Sequence, residues 1–330
     1  MIITRTPVRI SLLGGGTDYP DHFRQHGGQT LGAAIDKYSY ITVNHLAGLF
    51  DYSIRVSYSR TELAKAVGEI AHPVVRESLR LLGIEGGIEI HYIGDLPARA
   101  GLGSSSSFTV GLLHALHAFK GDMVGPSQLA AEAVHLECER LGERVGVQDQ
   151  YTCAHGGLLH LTFGRDGDVA VAPLALRTGR LAELEAHLML VYTGLRRHAH
   201  EVLAEQVERT RSGANADELA RLNDLVTEGL GILGGADPIA RLGETLHAAW
   251  EIKRRLSSQI TNPVIDAYYE RARAAGALGG KLLGAGSGGF LLFFVAPGRR
   301  AAVRAALAEL NTVPFAFEHG GSRILFYQPR

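Results

Sequence analysis

One segment constrains this chain more than any other: Leu96-Pro97-Ala98-Arg99-Ala100-Gly101-Leu102-Gly103-Ser104-Ser105-Ser106-Ser107. It follows a strand-like run at 88–92 and feeds an apolar helical stretch at 108–119. The segment therefore predicts a strand, a tight loop and a helix in succession. Gly101 and Gly103 let that loop's backbone approach a ligand without Cβ clashes. The four serines bring hydroxyls to a helix start, where unpaired N–H groups and partial positive charge favour phosphate. Taken alone, the same residues also suit an N-capped helix after a flexible turn. A Walker loop is excluded, because the first downstream lysine is Lys120. A dinucleotide loop is excluded as well. The Gly-x-Gly-x-x-Gly spacing at 284–289 runs into the strand-like 290–295 rather than into a helix.

Composition narrows the class. The chain has 330 residues, 46% hydrophobic and 20% charged, which suits one or two folded domains and excludes a disordered chain. A net charge of −1 offers no field for nucleic acid or anionic lipid, so neither nucleic acid nor membrane is expected as a partner. Apolar runs fall short of the roughly 20 residues of a membrane span. The N-terminus shows no signal-peptide core, and Cys138 and Cys153 build no disulfide framework. A cytoplasmic protein is the expectation. Strands are predicted at 8–13, 38–45, 53–58, 87–92, 157–161, 188–192, 290–295, 313–317 and 323–327. Helices are predicted at 62–70, 73–82, 107–119, 127–141, 199–211, 218–233, 238–255, 263–275 and 299–310. The polar tract 177–180 suggests a boundary between a domain at 1–180 and another at 181–330.

Two further segments join the first: Thr6-Pro7-Val8-Arg9-Ile10-Ser11-Leu12-Leu13-Gly14-Gly15-Gly16-Thr17-Asp18-Tyr19-Pro20 and Lys281-Leu282-Leu283-Gly284-Ala285-Gly286-Ser287-Gly288-Gly289. In order and placement the three resemble the motifs of the GHMP small-molecule kinases, the family of galactokinase, homoserine kinase, mevalonate kinase and phosphomevalonate kinase. The resemblance covers essentially the whole chain. Gly14 to Pro20, Asp95 to Leu116 and Val145 to Gln150 look most like the bacterial branch acting on D-glycero-D-manno-heptose 7-phosphate. The resemblance implies an α+β, two-lobed fold with a ribosomal protein S5 domain 2-like N-terminal lobe, a ferredoxin-like C-terminal lobe and a cleft between them. It also implies ATP and Mg²⁺, a sugar phosphate as substrate, and phosphorylation of the anomeric hydroxyl to the 1,7-bisphosphate in nucleotide-activated heptose synthesis. The alternatives are a kinase for another sugar and a non-catalytic sugar or ATP sensor. Oligomeric state is open.

Residue by residue, the resemblance makes Asp149, in Gly146-Val147-Gln148-Asp149-Gln150, the catalytic carboxylate that accepts or orients the hydroxyl proton. Arg9 precedes Asp18 by the nine positions seen in galactokinases and is its catalytic partner, stabilising charge on the phosphoryl group. Asp18, with Gly15, Gly16 and Thr17, is expected at the sugar. ATP is expected along Pro97, Gly101, Leu102, Gly103, Ser104, Ser105, Ser106 and Ser107, and against Gly284, Gly286, Ser287 and Gly288. Mg²⁺ is expected at Ser105 or Ser106 with Glu137, twelve positions before Asp149, and with Glu139 as second choice. Gly15 and Gly16 stand where galactokinases carry Glu-His. Losing that carboxylate favours a phosphorylated sugar, whose phosphate would meet Lys37, Arg196, Arg197 or the 253–255 basic cluster. The 15 histidines, including His22/His26 and His114/His117, lack the Cys/His clustering of a zinc site.

Overall fold

The computed structural model describes residues 1–97, 100–195 and 199–328. Twelve strands form two sheets: β1 (Ile2–Leu13), β2 (Gly28–His45), β3 (Ile54–Ser57), β4 (Thr61–Ala64), β5 (Ile88–Gly94), β6 (Leu158–Phe163), β7 (Val169–Pro173), β8 (Leu188–Tyr192), β9 (Ala277–Leu282), β10 (Phe290–Val295), β11 (Asn311–Val313) and β12 (Arg323–Tyr327). The helices are α1 (Pro20–His26), α2 (Pro73–Leu81), α3 (Ser104–Lys120), α4 (Pro126–Val134), α5 (Gln148–His155), α6 (Arg180–His187), α7 (Ala199–Arg211), α8 (Ala216–Gly234), α9 (Ala240–Lys253), α10 (Pro263–Ala274) and α11 (Arg300–Ala306).

The first sheet runs β12-β1-β2-β5-β3-β4, and β6 and β7 continue from the other half of the long β2. The second runs β11-β8-β10-β9. All described ladders are antiparallel except β3 with β5. A boundary at 180/181 separates the two sheets only as far as β11, because β12 returns to pair with β1. One core joins the sheets: β1 residues Val8, Ile10 and Leu12 belong to the same buried cluster as Leu190, Phe293 and Trp250. A second core lies on the other side of the first sheet, under α2, α3 and α4.

Several predicted elements differ. Residues 62–70 are no helix: Thr61–Ala64 pairs with β3 as a hairpin, and only a 3-10 turn follows at Val67–Glu69. Pairing overrides the local helix preference of Glu-Leu-Ala-Lys. The helix predicted at 127–141 ends at Val134 and continues as a π-helical stretch, His135–Arg140. The strand predicted at 313–317 lies at Asn311–Val313 instead. Strand β9, rich in small residues, carries no strand signal in the sequence. A Cβ on Gly279 would overlap the backbone of Gly243, so α9 lies directly on that strand. Among the described residues no helix is long and apolar enough to cross a membrane.

Candidate active site

The three glycine-rich motifs meet at a cleft of about 660 Å³ between the lobes. Strand β1 carries Arg9 into it, and the Arg9 N–H donates to Leu102 O (2.9 Å), tying the first motif to the second. Arg9 is buried, and its guanidinium grips Asp149 at two points, Nε to Oδ1 at 2.6 Å and Nη2 to Oδ2 at 2.5 Å. Nη1 donates to Gly101 O at 2.8 Å. Burial opposes the charge on Arg9, but Asp149 outweighs it and the guanidinium stays above its ordinary value. Asp149 sits in the first turn of α5 with its side chain 21% exposed, against 5% for Arg9, so the carboxylate is the end the cleft can reach.

Gly103 has φ +71°, and a Cβ there would stand 3.1 Å from Arg9 Cγ and 3.2 Å from Asp149 Oδ2. The loop thus needs glycine for the ion pair as much as for a phosphate. Gly103 also opens α3 without a side-chain cap, leaving the first N–H groups of that helix to an anion. Ser104, Ser105 and Ser106 line the cleft there. Ser107 does not: its hydroxyl is spent on Thr6 O (3.0 Å). Leu102 lies in the core, and Pro97 is exposed away from the lining.

Glu137 reaches the cleft from inside the π-helical stretch and is 1% exposed. Its Oε2 accepts from Ser106 Oγ (3.0 Å) and Gln150 Nε2 (2.5 Å). Burial pushes its carboxyl up to about 7 against those hydrogen bonds. Its Oε1 is buried without a hydrogen-bond partner, which leaves one carboxylate oxygen for a ligand. A carboxylate and a hydroxyl at the phosphate end fit Mg²⁺, which takes one or two carboxylates and completes its shell with phosphates and water. Glu139 points elsewhere: it bonds His135 (2.9 Å) and is 65% exposed. No group of three His, Cys, Asp or Glu side chains among the described residues could hold a metal ion. Burial instead pushes His22 and His114 down to about 4.

At the other end, Asp18 accepts from Gly16 N and Gln148 Nε2, each at 2.9 Å. Burial raises its carboxyl above the ordinary range. A Cβ on Gly146 would overlap Asp18, which accounts for the glycine of the Asp149 motif. Gly15 and Gly16 line the cleft, whereas Thr17 is buried and holds the turn through Gly14 O and Gln29 O (2.9 Å each). From the third motif only Gly284 and Ala285 line the cleft. Gly286 packs on Ile260 and Gly288 on Leu195. Ser287, at φ +62°, turns its hydroxyl to Gln259 O (2.7 Å).

Of the basic residues, Lys253 lines the cleft and donates to Leu282 O (3.0 Å) and Gly284 O (2.7 Å). Lys37 is spent on Asp36, and Arg254 on Asp266 (2.9 Å) and Glu251 (3.3 Å). Arg255 is 60% exposed beside Glu218. Arg196 and Arg197 lie outside the described residues. Sequence reasoning missed Ser11, Arg144, Gln148 and Gln206, all of which line the cleft, and Lys281 just behind it. Gln148 and Lys281 stand inside the sequence motifs, which was a signal for both; Gln206 carries no such signal.

The chain matches known proteins over most of its length. Residues 62–157 match the GHMP kinases N terminal domain and residues 237–312 the GHMP kinases C terminal domain. A D-glycero-alpha-D-manno-heptose 7-phosphate kinase of Campylobacter jejuni is 30% identical over 313 residues, covering 91% of both chains. The chain belongs to the GHMP kinase family. A Pyrococcus furiosus galactokinase is 26% identical over 89% of both chains. The fold matches a D-glycero-D-manno-heptose 1-phosphate kinase from Bacteroides thetaiotaomicron with a TM-score of 0.79 at 23% identity over 99% of each chain. This GHMP kinase is a sugar kinase, and ATP is the co-substrate of the family.

Proposed function

We propose that the protein transfers the γ-phosphoryl group of ATP to the anomeric hydroxyl of D-glycero-D-manno-heptose 7-phosphate, giving the 1,7-bisphosphate. It would act in the cytoplasm, in nucleotide-activated heptose synthesis. The observation that carries the transfer is the Arg9–Asp149 pair, which lines the same cleft as the uncapped start of α3 and Gly15–Gly16. Asp149 accepts or orients the hydroxyl proton, and Arg9 fixes that carboxylate and adds positive charge behind it. The N–H groups of α3 receive the triphosphate. Ser106 and Glu137 would hold Mg²⁺, which when bound neutralises charge between the β- and γ-phosphates.

The sugar assignment rests on the heptose 7-phosphate kinase relative, on Gly15 and Gly16, which add no carboxylate of their own beside Asp18, and on Lys253 and Arg144 in the cleft lining. An ADP-coupled assay across free and phosphorylated sugars tests it. Heptose 7-phosphate should exceed free heptose by roughly 30- to several-thousand-fold in kcat/KM, the worth of ~2–5 kcal/mol of charge-assisted contact. Gly15→Glu should shrink that preference. Equal efficiency on both sugars would overturn that preference and leave a generic anomeric sugar kinase.

A further inference from the structure

The Gly15–Gly16 end of the cleft has a wall that none of the three motifs supplies. It comes from α7, where Gln206 is 5% exposed and lines the cleft. Its Nε2 lies 3.6 Å from the point where a Cβ on Gly16 would stand. The same point is flanked by Leu219 and Leu256, at 3.2 and 3.4 Å, which offer the amide nothing polar. Among the described residues the side-chain amide has no hydrogen-bond partner. The backbone carbonyl of Gln206, by contrast, accepts from Thr210 Oγ1 (2.8 Å). An amide on an apolar wall is costly unless water or a ligand meets it.

Its neighbours on α7 hold it in place. Glu205, the preceding residue, accepts from Ser257 Oγ (2.8 Å), Ser258 N (3.0 Å) and Ser258 Oγ (2.9 Å). Five residues on, Arg211 Nε donates to Asp21 Oδ1 at 2.7 Å, three positions after Asp18. The helix is thus tied to the loop before α10 and to α1. The Gln206 amide is presented to the cleft by bonds that it does not itself make, the arrangement expected of a preorganised binding group.

We propose that Gln206 is a specificity-determining residue that hydrogen-bonds an oxygen of the sugar substrate at the end remote from the transferred phosphoryl group. This rests on the reading that Gly15 and Gly16 mark the sugar's end of the cleft. The amide both donates and accepts, so it recognises a hydroxyl and can also donate to a phosphate ester oxygen.

The test compares Gln206→Leu and Gln206→Glu with wild type by steady-state kinetics and by calorimetric sugar binding. Gln206→Leu should raise the sugar KM and Kd about 10- to 100-fold, with kcat, the ATP KM and the melting midpoint near wild type. Gln206→Glu, of equal size but anionic, should penalise a phosphorylated sugar further than a free one. An unchanged sugar KM and Kd in Gln206→Leu overturns the proposal. A fall in kcat together with the melting midpoint overturns it too, because that is the signature of packing. The ratio of variant to wild type is taken on whichever sugar wild type binds, so it is independent of the heptose 7-phosphate assignment, which the wild-type substrate panel tests alone.

Discussion

Three of the five N–H donors of Arg9 are committed within the protein, two to Asp149 and one to Gly101 O. The guanidinium therefore fixes the carboxylate in one orientation instead of reaching freely for phosphate. Asp149→Asn should leave sugar binding within a few-fold of wild type by calorimetry and lower kcat by roughly 10²–10⁴, since it removes the proton acceptor and turns an NH₂ toward Arg9. Near wild-type turnover would show that Asp149 is not the base. Lys281 gives a second prediction at this scale. It is 3% exposed, donates to Leu12 O (3.1 Å), and is held down to about 7 by burial and by the charge of Arg9, against the pull of Asp18. Between about 7 and the ordinary 10.5 the unfolded chain binds a proton there that the folded chain does not. Stability from this group is therefore lowest below about 7 and rises with pH across that window. Lys281→Met removes the slope. The urea midpoint of wild type should climb relative to the variant between about pH 6.5 and 9, and parallel curves would refute the buried-lysine account.

At the scale of elements, spacing revealed what repeats along the chain and concealed what depends on close approach. Arg9, Asp18 and Asp149 were legible because they stand in motifs that resemble those of the GHMP kinases, and Glu137 because that resemblance places a carboxylate twelve positions before Asp149. Glu137 reaches the cleft from a π-helical stretch that the 3.6-residue period did not foresee. Gly286 and Gly288 read as ligand-facing, yet the structure sets them against the backbones of Ile260 and Leu195. Residues 28–35 of β2, rich in glycine and alanine, carry no strand signal, although they pair along β1 and β6. β12 was legible as a strand, and its pairing partner was not. It covers the edge of β1, the strand that carries Arg9. Ser322, just before it, bonds the hydroxyl of Thr6 (2.8 Å) and His114 Nδ1 (2.9 Å). Ending the chain at Gly321 should uncover that edge, lower the melting midpoint and promote association, as read by calorimetry and light scattering. A monomeric product that melts with the full chain would show that β12 is dispensable.

The whole molecule turns on how its two sheets share a core. Chains of this length are commonly expected to unfold in stages, domain by domain. Here the cluster that packs β8, β10, α8 and α9 also contains Val8 to Leu13 of β1 and Leu31 to Ile35 of β2. Polar ties cross the same boundary. Gln29 Nε2 donates to Asn223 O (3.0 Å) and Thr227 Oγ1 (2.9 Å), and Lys281 Nζ donates to Leu12 O (3.1 Å). A Cβ on Gly289 would overlap the backbone of Ala100, so the third motif lies against the second with no space for a side chain. Neither lobe can lose its packing without stripping the inner face of β1 and β2, and with it the strand that aims Arg9. Calorimetry should therefore show one transition, with a van't Hoff enthalpy close to the calorimetric one. Nucleotide or sugar should raise its midpoint as a unit, because each binds only the assembled cleft. Two resolved transitions, with ligand shifting only one of them, would mean that the lobes fold independently and that the shared core contributes little to holding the cleft together.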